Sequence, residues 1–113
     1  MELRDLSDDE LRVFVGLVRE VVRADGDYSD GEKAFVAELS ERIGAARFQA
    51  AMDEVRAQLP KRALLKEAAK RIDRKEARLA MFDELIRLAA VDGVEEPEVK
   101  PLSWLASWWD IYE

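Results

Sequence analysis

The chain has 113 residues, with 18 Lys+Arg against 25 Asp+Glu, a formal net charge of -7, no Cys and no His. Those absences exclude a disulfide framework, a thiolate nucleophile, a Ser-His-Asp relay and any metal held by His or Cys. The length predicts one domain, residues 1–113, and 49% hydrophobic with 38% charged residues predicts a globule with a core, not a disordered chain.

Apolar spacing is helical nearly throughout, with no period-two stretch long enough for a strand. Ser7 and Glu10 form a capping-box pair, in which hydroxyl and carboxylate satisfy orphan amides reciprocally, so a first helix is expected after Ser7. Leu11, Phe14, Val15, Val18, Val21 and Val22 give it one buried face, and Gly26 ends it. Ser29 and Glu32 repeat the capping box and open a second helix through Phe35, Leu39 and Ile43 to Gly44. A third runs from about Ala45 to Leu59, with Phe48, Met52, Val55 and Leu59 on one stripe, and Pro60 stops it. The segment from Lys61 to Ile72 turns Leu65, Ala68, Ala69 and Ile72 inward, and a break follows, with Asp73 and Glu76 as the candidate cap. The next helix carries Leu79, Phe82, Leu85, Ile86 and Ala89 as its inward face and stops at Gly93. The last is expected to start near Glu98 with Pro101 in its first turn, and holds Leu102, Leu105, Trp108 and Trp109. The expected fold is all-α, a compact bundle of six to seven short helices.

One feature rises above a generic bundle. Residues 24–32 read ADGDYSDGE and residues 91–98 read VDGVEEPE. An offset of 67 aligns Asp25 with Asp92, and also Phe14 with Met81, Val15 with Phe82, Val18 with Leu85, Val21 with Leu88 and Val22 with Ala89. A helix, an Asp-Gly turn and an acidic helix start therefore occur twice, which predicts related halves at about 8–44 and 74–110. Asp25 and Asp92 sit where the negative end of a helix dipole disfavours a carboxylate. The next helix's amides, an Arg such as Arg23, or a bound cation would offset that. The candidate metal ligands are Asp25, Asp27, Asp30 and Glu32 in the first copy and Asp92, Glu95, Glu96 and Glu98 in the second. These are hard oxygen donors, so Mg²⁺, Ca²⁺ or Mn²⁺ would be the ion, with no organic cofactor. An EF-hand does not fit: counted from Asp25, Asp30 stands where Gly is needed and Val36 where the bidentate Glu is needed. The alternative is that these acids are caps and turn formers only.

The helix running into Ala24-Asp25-Gly26 with Ser29 and Glu32 behind it, and the second turn Asp92-Gly93 with Glu96-Pro97-Glu98, resemble the TerB-like family of tellurite-resistance-associated proteins. Relatives in that family include the N-terminal region of a membrane-anchored DnaJ-type co-chaperone. The resemblance spans roughly residues 8–110. It departs from the family pattern at Val91, which replaces Ala, and at Val94-Glu95, which reverse the acid-then-apolar order. It implies an all-helical domain with an internal repeat, no catalytic activity, an acidic face that takes divalent metal, and stress-response work through protein partners in tellurite or phage resistance. Thiol-based tellurite reduction is excluded by the absence of Cys, so any such role is indirect.

Two other constellations bear on partners. LSWLASWWDIYE places Trp104, Trp108 and Trp109 on two adjacent helix faces, one to anchor the core and one to form a dimer or partner surface. Residues 61–78 carry 8 bases against 3 acids, whereas residues 1–32 carry 10 acids and 4 bases, and 92–113 carry 6 acids and 1 base. The basic stretch reads as a solvated helix face with too few aromatics for a single-strand platform, and the overall acidity argues against a nucleic-acid partner. No apolar run reaches the ~18–20 residues of a membrane span. The acidic start lacks the build of a signal peptide, so the expected setting is cytoplasmic. Two functional expectations result: a non-enzymatic cation-binding domain acting through partners, or a pure interaction module built on the Trp-rich helix.

Overall fold

The structure, a computed structural model, describes residues 2–23, 29–59, 61–91 and 96–109, and of 96–101 the backbone alone. It is all-α. Among the described residues a 3-10 turn (Leu3–Asp5) precedes six helices: α1 (Asp8–Arg23), α2 (Asp30–Ile43), α3 (Ala45–Gln58), α4 (Arg62–Lys70), α5 (Lys75–Ala89) and α6 (Glu96–Trp108). No strand occurs among the described residues. The radius of gyration is 12.9 Å, matching the ~13 Å expected of a compact 100-residue domain.

Both expected capping boxes form. The Ser7 amide donates to Glu10 Oε1 at 2.8 Å and the Glu10 amide to Ser7 Oγ at 3.2 Å. Ser29 and Glu32 make the same exchange at 3.0 and 3.1 Å. Between α2 and α3 the chain turns on one residue, Gly44, at φ 111°. It serves as C-cap of one helix and N-cap of the next, in a region that a side chain disfavours.

Helix α1 is the axis of the fold. It packs against α3, α4, α5 and α6, so it is buried on more than the single face its spacing predicts: Val13, Gly16 and Leu17 are enclosed along with Leu11, Phe14, Val15, Val18, Val21 and Val22. A helix buried nearly all round needs this Val- and Leu-rich composition. Gly16 marks the closest approach, since a Cβ there would lie 2.6 Å from Leu65 Cδ1 on α4. All ten residues of the five apolar pairs related by the 67-residue offset are buried, and the sixth pair, Asp25 and Asp92, lies outside the described residues.

Three local expectations change. The break before α5 is present, but Arg74 and not Asp73 is the N-cap residue, and no side-chain cap bond forms. Arg74 is drawn instead to α1, as described below. On α5, Leu79 and Ile86 are 46% and 42% exposed, while Ala77, Met81, Glu84 and Leu88 are buried beside Phe82, Leu85 and Ala89. The helix is apolar on two sides, and its neighbours α1, α2 and α6 decide which side is enclosed. Finally, α6 begins at Glu96, so Pro97 falls in the first turn and the helix runs on through Pro101. Leu3 and Leu6, ahead of the first predicted helix, also belong to the core.

Candidate functional site

Of the eight acids proposed as metal ligands, Asp25, Asp27, Asp92 and Glu95 lie outside the described residues, and Glu96 and Glu98 are described as backbone in the first turn of α6. Asp30 opens α2 fully exposed, with Lys33 Nζ 4.0 Å away. Glu32 is different. It is 3% exposed, its Oε1 accepts the Ser29 amide, and its Oε2 is buried with no hydrogen-bond partner among the described residues. A buried carboxylate oxygen left unpaired is costly, and Glu32 follows directly on the first acidic turn. Among the described residues no group of three or more acids is assembled.

The described residues do assemble the other two constellations, and they meet. Trp104 and Trp108, one turn apart on α6, lie against each other as a tilted pair, with centroids 4.9 Å apart and an interplanar angle of 42°. The Lys66 ammonium stands 5.3 Å over the Trp104 ring and the Lys70 ammonium 4.4 Å over the Trp108 ring. Both distances are within cation–π range. Two i,i+4 pairs on two helices thus interlock rung by rung. Both tryptophans remain half-buried, with Lys70 exposed. Trp109 is separate from this surface. It is 2% exposed, and its indole N–H donates to the Ala69 carbonyl at 2.9 Å, so it belongs to the core and is not available to a partner.

The basic stretch is therefore not one solvated face. Arg62, four residues before Lys66, pairs with Glu20 of α1. Arg74 forms a two-pronged ion pair with Glu10, Nε to Oε2 at 2.8 Å and Nη2 to Oε1 at 2.6 Å. The Arg74 hydrogen bond holds the Glu10 carboxyl below its ordinary value against the opposing effect of burial, with the Ser7 amide assisting. On the other side of the bundle, Arg42 of α2 donates to the buried Glu84 of α5 at 2.9 Å, and this bond raises the Arg42 pKa. Glu10 and Glu84 thus act as ties between helices, contacts made across 64 and 42 residues that local spacing does not show.

The fold and this surface define an all-α domain, with six helices among the described residues, that carries a basic, tryptophan-bearing face. No family model matches the chain, and comparison with curated proteins and with solved structures finds no match. No helix among the described residues is long and apolar enough to cross a membrane.

Proposed function

We propose that this is a non-catalytic interaction domain that docks an acidic segment of a partner protein on the α4–α6 face, with Lys66, Lys70, Trp104 and Trp108 as its contact residues. The supporting observation is the half-exposed tryptophan pair, with an ammonium over each ring. Aromatic rings supply rigid contact area, and the surrounding excess of bases supplies complementarity and steering. Tryptophan fluorescence reads the interaction against a constant signal from buried Trp109. Titration with an Asp/Glu-rich peptide is expected to change emission saturably, and a Gln/Asn counterpart to leave it unchanged. Lys66→Gln/Lys70→Gln removes the response. A response equal for both peptides, or none, overturns the reading. Light scattering on Trp104→Ala tests whether the same face instead joins two copies of the chain.

A second reading rests on the unpartnered Glu32 oxygen. In it, the first acidic turn binds Mg²⁺, Ca²⁺ or Mn²⁺ with Glu32 as one oxygen donor, and the ion adjusts how the domain meets its partner. The TerB-like resemblance supports this reading and suggests a stress response as its setting. Calorimetry with each ion on wild type, Glu32→Gln and Asp25→Asn/Asp92→Asn is the test. Absence of heat and of a metal-dependent rise in melting temperature overturns it.

A further inference from the structure

At the other end of α4 lies a cleft where α1, α3 and α4 converge. Its charged lining among the described residues is Arg19, Glu20 and Arg23 from α1 with Lys61 and Arg62 at the start of α4, and at its base the Leu65 side chain packs against Gly16. Among the described residues four cations therefore line the cleft with one carboxylate, in a chain whose net charge is -7. Glu20 is already engaged by Arg62. Arg19, Arg23 and Lys61 have no ion-pair partner among the described residues.

Helix electrostatics explain only part of this crowding. Arg23 suits the C-terminal turn of α1. Arg19 stands one turn before it on the same side, where like charges repel. Lys61 and Arg62 stand where a helix dipole disfavours positive charge, α4 has no acid in its first turn, and Lys61 makes no capping bond. The sequence thus collects bases where the fold alone would select acids or caps. An anion in the cleft removes that conflict.

We infer that this cleft binds a phosphate group, with Arg19, Arg23 and Lys61 supplying the charge and Arg62 held in place by Glu20. The enclosed space is about 30 Å³, which is room for roughly two water molecules. Two oxygens of one tetrahedral group fit, and the remainder of the group faces solvent. A nucleoside or sugar finds no enclosure. The ligand is thus inorganic phosphate or the terminal phosphate of a small monoester. Guanidinium groups match such oxygens through paired N–H donors. This site is separate from the α4–α6 face, and neither reading depends on the other.

The test is an NMR titration of the full chain with inorganic phosphate, run against chloride at matched ionic strength. Saturable shifts are expected at the Arg19, Arg23 and Arg62 Nε–H signals and at the amides of residues 61–65. The double variant Arg23→Gln/Lys61→Gln should bind at least tenfold more weakly. Arg71→Gln, an exposed base elsewhere on the same basic stretch, should bind as wild type does. A parallel titration with phosphoserine separates the sources: equal midpoints identify a terminal phosphate, and a response to inorganic phosphate alone identifies the free ion. Shifts that chloride reproduces, or an equal loss in Arg71→Gln, overturn the site. Because the substituted side chains are exposed, circular dichroism is expected to show both variants folded. Lys66→Gln/Lys70→Gln should leave phosphate binding intact, so failure here is distinguishable from failure of the docking face.

Discussion

Replacing Trp109 with Phe isolates what this residue does for the fold. Its indole N–H reaches the Ala69 carbonyl at 2.9 Å in a buried position, and the side chain is 2% exposed within the core. Phe keeps most of the ring in place but removes the donor, at about 1 kcal/mol for a hydrogen bond. It also removes two ring carbons, at about 0.8 kcal/mol per buried carbon group. The Ala69 carbonyl still accepts the Ile72 amide at 3.2 Å, so it is not orphaned, and the cost stays at roughly 2 to 3 kcal/mol by addition of those two effects. Trp109→Ala should cost about 3 to 5 kcal/mol, a large share of the ~5–15 kcal/mol total stability of a small domain. Trp104→Ala and Trp108→Ala each remove a half-exposed ring and a cation–π contact, for about 1 to 2 kcal/mol. Urea denaturation followed by far-ultraviolet circular dichroism measures all four, with the slope checked for a common unfolded state. If Trp109→Phe unfolds within about 0.5 kcal/mol of wild type, or costs less than Trp104→Ala, the assignment of Trp109 to the core and of the other two to a surface is refuted.

Acid stability tests the Glu10–Arg74 tie. The folded-state Glu10 value lies below the ordinary 4.5, chiefly through the Arg74 hydrogen bond. Its contribution is therefore complete above that ordinary value and lost as pH falls through the lower folded value. The stability gap between wild type and Glu10→Gln should be flat from neutrality down to about pH 4.5 and close below it; a gap unchanged through the acid range would contradict the pair. Gly16→Ala sets a helix-propensity gain of about 1 kcal/mol against overpacking of about 1 to 3 kcal/mol, because the new Cβ lies 2.6 Å from Leu65 Cδ1. The net expectation in urea denaturation is destabilisation by about 1 kcal/mol, relieved when Leu65→Val is added. Additive single and double variants would show that the two side chains do not compete for the same space.

Legibility followed the range of the interaction. The Ser7–Glu10 and Ser29–Glu32 boxes are made within one turn, so residue type and spacing suffice to find them. Gly44 is equally local, and the structure places it at φ 111° between two helices. The offset of 67 residues marked ten apolar positions that are all buried, because repeated apolar spacing reports the face that meets a core. The inward face of α5 was not legible from its own spacing alone. Leu79 and Ile86 fit the helical period of that one helix as well as Met81 and Leu88 do; the 67-residue offset picks out Met81 and Leu88, and the packing of α1, α2 and α6 encloses that side.

The same distinction separates what the residues decide about function from what the fold decides. The absence of Cys and His limits ligand donors to oxygens, amines and guanidinium groups, and the count of acids and bases already shows a basic middle between acidic ends. Nothing local says that Lys66 and Lys70 stand over Trp104 and Trp108. Nor does it say that the buried Trp109 donates to the Ala69 carbonyl of the same helix α4, or that Arg74 crosses to Glu10. Those partners are 38 to 64 residues apart in each case. Helix spacing specifies which side chains share a face. Which faces then meet is settled only when burial of α1 draws α3, α4, α5 and α6 around it, since that burial is non-directional and each new neighbour chooses the polar partners that come with it.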